Sequence, residues 1–184
     1  MAVQVLREGD AETRLWMAMF LASTDSAPQD PTSVKLFQKL LNDQDVRLQL
    51  FAAAALSGTG SAGAAAMRVL SRALSGDDIH LKPLAAAALG RMDVRESEAV
   101  DCLILALHEE DRSAWLAIVG ALGQAEPAAI RAVPPLVALF TNRKADVNLR
   151  AAIAHTLGMI SRGGDQAEAA LLVALRSREW QVVW

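Results

Sequence analysis

The chain has no tyrosine, only four phenylalanines and four tryptophans among 184 residues, and a single cysteine. One cysteine, Cys102, excludes an intrachain disulfide, so cohesion must come from packing alone. No apolar run reaches the ~20 residues that a helix needs to cross a bilayer, and no membrane association is expected. Charge of one sign is not in excess. Lys and Arg number 18 against 21 Asp and Glu, a net charge of -3, with a pI near 5.6. Phosphate contacts supply most of the affinity of nucleic-acid modules, so this balance argues against a nucleic-acid partner. The opening MAVQVLREGD lacks a basic segment followed by an apolar one. No signal peptide is read there, and a cytoplasmic location is expected.

What is present is alanine and apolar bulk. Hydrophobic residues make up 53% of the chain. Alanine is the best helix former, and β-branched residues are sparse, so an all-α fold with closely packed helices is expected. The length suffices for one sizeable core.

The segment DVNLRAAIAHTLG (146–158) recurs along the chain. Its relatives are DAETRLWMAMFLA (10–22), DVRLQLFAAAALS (45–57), DIHLKPLAAAALG (78–90) and DRSAWLAIVGALG (111–123), with a truncated copy EWQVVW (179–184). Successive copies are offset by 35, 33, 33, 35 and 33 residues. A fixed period in this range is the signature of stacked helical repeats. The leading Asp of each copy suits an N-cap, where its carboxylate accepts free N–H groups and meets the positive end of the helix dipole. Gly90, Gly123 and Gly158 stand where a helix is expected to stop.

A second amphipathic segment precedes each copy: 32–41, 64–74, 97–107, 129–140 and 166–175. The unit is therefore a first helix, a turn carrying the Asp, a second helix and a short loop. The loops hold the expected breakers, STDSAPQDPT, SGTGSAG, RMDVRES, GQAEP and SRGGD. Repeats are read at about 1–24, 31–58, 62–91, 96–124, 127–162 and a partial 165–184, all in one domain.

The pattern resembles HEAT repeats, in particular the short bacterial PBS-lyase HEAT-like type. The likeness is carried by Asp-x-x-apolar-basic, an alanine-rich run and Leu-Gly. Asp146, Leu149, Arg150, Ala151, Ala152, Leu157 and Gly158 match it best, then Asp78, Leu81, Lys82, Ala85, Ala86, Leu89 and Gly90. Pro134 and Pro135 fall where HEAT first helices often bend. The resemblance implies a right-handed α-solenoid of about five helix pairs, with incomplete repeats at both ends and the second helices lining a concave face. One architecture hosts many activities, so it says little about function. Terminal repeats normally carry a polar cap. Trp180 and Trp184 do not supply one, and the expectation is that the chain is part of a longer protein or is completed by something else; the alternative is that these tryptophans fold back over the last helix pair.

On the second helices, the residue after the basic position and the one four later share a stripe. In HEAT repeats these positions are often polar. Here the first set reads Leu15, Leu50, Pro83, Leu116 and Ala151, and the second Met19, Ala54, Ala87, Gly120 and His155. If they face outward, they form a continuous apolar groove of the kind that binds a helix or extended segment. The alternative is that the stripe is packed between helices. The basic position itself reads Arg14, Gln49, Lys82, Trp115 and Arg150, a ladder that in HEAT proteins hydrogen-bonds to the Asp series between repeats. Trp115 breaks it and is the candidate anchor, since Trp is enriched among hot spots. It could equally fill a gap beside Ala114 and Gly120. The residues read as partner-binding are Leu15, Met19, Leu50, Trp115, Leu116, Arg150 and His155.

The remaining signals are weak. His80, His108 and His155 lie in different repeats without metal-ligand spacing. The HEE at 108–110 is similar to the His-Glu pairs of deoxyhypusine hydroxylase, but that family needs several such pairs on second helices. Cys102 has no basic neighbour to lower its pKa and reads as packing. Lys35, Lys39, Arg68 and Arg72 read as a solvated convex face. No catalytic constellation, cofactor or metal is expected. The expected function is a protein-interaction scaffold, and an empty apolar groove would also favour self-association. A bilin-lyase-like accessory protein and a nucleic-acid-binding HEAT-like module are the alternatives.

Overall fold

The computed structural model describes residues 2–23, 30–59, 63–92, 97–108, 112–142 and 144–160. Asp111, the 166–175 helix, the truncated sixth copy and Trp180 and Trp184 lie outside the described residues.

Three of the repeated aspartates begin helices as caps. The Asp10 carboxylate accepts the Thr13 N–H at 2.8 Å, Asp45 that of Arg47 at 2.9 Å and Asp146 that of Leu149 at 2.8 Å. They open α2 (Ala11–Ser23), α4 (Val46–Leu56) and α10 (Val147–Ile160). Each satisfies a backbone donor that the first helical turn leaves free. Asp30 does the same for α3 (Pro31–Leu40), accepting from Ser33 at 2.8 Å, with Pro31 in the first turn. That cap lies outside the repeated motif.

The third and fourth copies start late. Asp78 accepts the His80 N–H at 2.9 Å, yet α6 (Lys82–Gly90) begins four residues on. Pro83 explains this. An earlier start would require a Pro83 N–H to reach the Ile79 carbonyl, and proline has none. In the fourth copy a 3₁₀ turn, Arg112–Ala114, precedes α8 (Trp115–Gln124).

The first helices are α1 (Ala2–Glu8), α3, α5 (Gly63–Leu74), α7 (Ser97–Leu107) and α9 (Val133–Thr141). A 3₁₀ stretch, Glu126–Ala132, leads into α9, whose first turn holds Pro134 and Pro135. That is where proline is tolerated, so the prolines set the break between the two stretches. The molecule is all-α among the described residues, with helices packed in neighbouring pairs.

Each second helix also packs on the next: α2 on α4, α4 on α6, α6 on α8 and α8 on α10. Their shared surface is built from small residues. Ala53, Ala86, Ala88, Val119 and Ala121 are essentially inaccessible to solvent. One continuous apolar core runs from Leu6 to Ile160, with Leu48, Leu56, Leu70, Leu89, Leu103, Leu122, Leu136 and Ile153 at its centre. Burying each such side chain contributes about 1.5–3 kcal/mol.

Gly90 and Gly123 serve this packing, and of the three glycines expected at helix ends only Gly90 stands at one. Gly90 is the last residue of α6, but Gly123 lies inside α8 and Gly158 inside α10. A Cβ on Gly90 would lie 2.7 Å from both Cα and Cβ of Ala121 on α8. A Cβ on Gly123 would lie 3.3 Å from the Thr156 hydroxyl on α10. Close approach of second helices is what these two positions require. Across the same α8–α10 contact, the buried Thr156 hydroxyl donates to the Val119 carbonyl at 3.1 Å.

Candidate partner-binding face

The stripe expected on the second helices is not continuous. Leu15 is half-buried and packs against the core, and Met19 reaches the surface. On α4 the same two positions, Leu50 and Ala54, are 0% and 3% exposed. Pro83 and Ala87 on α6 are half-buried. On α8 and α10 the surface opens, with Leu116 56% exposed and Gly120, Ala151 and His155 also exposed. Leu50 therefore cannot be a groove residue. It sits beneath α5 and the 76–81 turn, in the wall of a cavity of about 240 Å³ shared with Gln49, Val69, Ala73 and Leu81. The cover comes from a neighbouring first helix, which a pattern on the second helix alone does not reveal.

Trp115 is also buried, with only 4% of its surface exposed, and its indole Nε1 has no hydrogen-bond acceptor. It fills space at the start of α8 and is not a surface anchor. Leaving a buried donor unsatisfied costs about 1–3 kcal/mol, which the burial of the ring offsets.

The ladder position does other work than the one expected. The Arg14 Nε donates to the Leu6 carbonyl at 3.1 Å, and the Arg150 Nη2 donates to the Asn142 carbonyl at 3.3 Å. The Gln49 amide reaches the Asp43 carbonyl. These side chains close the C-terminal ends of the first helices within their own pairs. Arg150 is half-buried, and its Nε has no partner. Asp10, Asp45 and Asp146 cap their own helices. Arg14 also links the first two pairs, reaching Asp43 at 2.7 Å, where Asp43 lies in the turn between α3 and α4. The Asp45 backbone N–H and the Arg14 guanidinium hold the Asp43 carboxyl below its usual value.

Beside Leu116 lies an open cleft of about 510 Å³ between the N-terminal turns of α8 and α10. Arg112, Ser113, Trp115, Leu116, Lys144, Asp146, Asn148 and Leu149 line it. Arg112 Nη1 donates to the Lys144 carbonyl at 3.3 Å, tying the two rims together. The Asn142 carboxamide oxygen accepts the Lys144 N–H at 2.8 Å and shapes the turn. The cleft offers cationic donors, carboxylate and carboxamide acceptors, and one large apolar side chain. That set matches the needs of a peptide: backbone groups to hydrogen-bond and a side chain to bury. The repeat does not single out Arg112, Lys144 or Asn148. They stand at the edge of the helix starts, Arg112 and Asn148 on variable positions of the motif and Lys144 before it, so the repeat carries no signal for them.

His80, His108 and His155 are exposed and separate, and no group of three metal-ligating side chains occurs among the described residues. Cys102 Sγ lies 3.1 Å from the Ser71 hydroxyl, joining α7 to α5. Lys35, Lys39, Arg68 and Arg72 are exposed on first helices. No described helix is long and apolar enough to cross a membrane.

No protein-family model and no curated protein matches the chain. Solved structures do. A crystal structure of an engineered protein from the Northeast Structural Genomics Consortium is 26% identical, with a TM-score of 0.64, over 98% of this chain and 86% of that one. A second engineered protein from the same consortium is 22% identical at a TM-score of 0.62, over 98% and 88% of the two chains. A third is 25% identical at 0.60, over 94% of this chain and 50% of that one. The likeness extends along nearly the whole chain and concerns the helical fold.

Proposed function

We propose that the chain is a HEAT-like solenoid scaffold whose α8–α10 face binds an extended segment of a partner protein. The observation that carries this reading is Leu116, a large apolar side chain 56% exposed at the rim of the 510 Å³ cleft. Contiguous apolar surface rimmed by polar groups favours protein binding. In this reading Leu116 takes an apolar side chain of the partner, with Ala151 and His155 extending the surface. Arg112, Lys144 and Asn148 hold the partner's backbone and acidic groups. In this reading the role is binding. In the same reading the helix pairs wind in the right-handed sense of HEAT repeats, with the cleft on the concave side.

The test is a pull-down from native lysate with wild type beside Leu116→Glu, with the helical circular dichroism of both recorded. The expected result is a protein held by wild type and lost by the folded variant. Identical captures, or empty ones from both, would remove the reading.

A further inference from the structure

The α8–α10 cleft has a counterpart two pairs earlier. The cavity of about 240 Å³ beside α4, α5 and the 76–81 turn is built on the same places in the repeat. Val46, Gln49 and Leu50 stand 66 residues before Arg112, Trp115 and Leu116. Gly76, Asp78 and Leu81 stand 68 residues before Lys144, Asp146 and Leu149. Both are therefore notches between the starts of successive second helices, on one edge of the stack. Their chemistry differs. Leu50, Val69, Ala73 and Leu81 give the earlier notch apolar walls, with Arg72, Asp77 and Asp78 exposed at its rim. In the later notch Arg112 and Lys144 are exposed, and neither has an ion-pair partner among the described residues. Those two cations face one carboxylate, Asp146, which already accepts the Leu149 N–H. The residues that follow the leading Asp on α4 and before α6, Val46 and Ile79, are 55% and 50% exposed. The edge that joins the notches is thus apolar as far as Arg112.

We propose that one extended segment of the partner spans both notches, with an aliphatic side chain in the earlier and a carboxylate in the later, about five or six residues apart. This deepens the binding reading of the α8–α10 cleft and rests on it. The earlier cavity is smaller than the ~300–1,000 Å³ of sites that enclose whole small ligands, so it suits a single side chain. Arg112 and Lys144 supply the donors that a carboxylate takes in charge-assisted hydrogen bonds. The span follows from the stack. α4 packs on α6 and α6 on α8, so two steps separate the notches. Packed helices lie about 8–10 Å apart, and two steps cover about 16–20 Å. An extended chain rises about 3.3 Å per residue and covers that in about five or six residues. A helix, rising about 1.5 Å per residue, would need about eleven to thirteen. Ile79 stands between the notches and gives the intervening residues an apolar surface to lie on.

Selection from a phage-displayed library of random peptides, long enough to hold either spacing, tests this on the whole chain. The expected result is enrichment of peptides with an aliphatic and an acidic residue about five or six positions apart. Lys144→Glu should select the aliphatic residue without the acid. Ala73→Leu, which fills the apolar cavity, should select the acid without the aliphatic residue. If Ala73→Leu loses its helical circular dichroism, the change is made in the selected peptide instead. Its aliphatic residue replaced by alanine should weaken binding to wild type at least about tenfold in fluorescence anisotropy. Peptides without the spacing, with the helical spacing, or with their acid still selected by Lys144→Glu would overturn the proposal. Where Leu116→Glu still loses such peptides, binding at the α8–α10 cleft stands without the second notch. Peptides kept by Leu116→Glu, or no enrichment at all, would overturn both.

Discussion

Gly90→Ala is the most direct probe of how the helix pairs are joined. The new Cβ would lie 2.7 Å from Cα and Cβ of Ala121 and 2.9 Å from its carbonyl oxygen. Those atoms belong to the α8 backbone or are fixed to it, so they cannot rotate away. α6 and α8 must separate by most of an ångström to restore ordinary contact. Overpacking of this kind costs about 1–3 kcal/mol, and the rigid neighbours here place it near the top of that range. Replacing glycine by alanine in a helix returns about 1 kcal/mol. The net loss is about 2 kcal/mol, which for a chain of this size lowers Tm by roughly 4–8 °C. Gly120→Ala is the internal control. It sits in α8, exposed, with nothing within 4 Å of the position an added Cβ would take, so only the helix-propensity gain applies. Its Tm should rise by roughly 2–4 °C. Thermal unfolding followed by circular dichroism reads both. The reasoning fails if Gly90→Ala is as stable as wild type, or if the two substitutions move Tm in the same direction.

The remaining expectations concern burial and charge. Leu50→Ala, at 0% exposure, should cost about 2–5 kcal/mol in urea unfolding, whereas Leu116→Ala, at 56%, should stay within about 0.5 kcal/mol; equal costs would contradict the division of the stripe into core and surface. The Asp10, Asp43 and Asp45 carboxyls are all held below the usual 3.8, chiefly by N–H donors at Thr13 and Asp45 and by the Arg47 side chain respectively. Folding then favours their ionised form, so their contribution is complete above the unfolded value and is lost as pH falls through the lower folded values. Unfolding free energy measured from pH 6 downward should be flat until about pH 4–5 and then decline; Asp43→Asn should make that decline shallower, and an unchanged slope would refute the assignment.

The helix pairs are legible in the sequence because their cause is local and repeated. An aspartate that caps, an alanine-rich run and apolar spacing each act within a few residues, so a period of 33–35 exposes them. Departures come where a single residue overrides the motif. Pro83 delays α6 although Asp78 stands in the capping position. The glycines mislead because a glycine near a helix end and a glycine under a neighbouring helix look alike in one dimension. Only the placement of Ala121 and Thr156 separates the two roles. The groove is less legible still, because exposure is decided by what lies on top. Leu50 and Leu116 hold the same place in the repeat, yet one is under α5 and the other is at the rim of a cleft.

This difference suggests where function resides in such a stack. Interior positions of the second helices are bound to the period, since a helix that must approach its neighbour at glycine and alanine has little freedom in size. A residue that breaks the period in the interior can only refill the space, as Trp115 does with its donor left unpaired. A residue that breaks it where no helix lies on top keeps its surface for something else. Leu116 keeps the residue type of its place in the repeat, yet it stays 56% exposed at the rim of the cleft. Among residues that hold one place in the repeat, the informative ones are therefore those that remain exposed once the helices are packed. A departure from the repeat can be read from the sequence, and exposure can be read only from the packed structure.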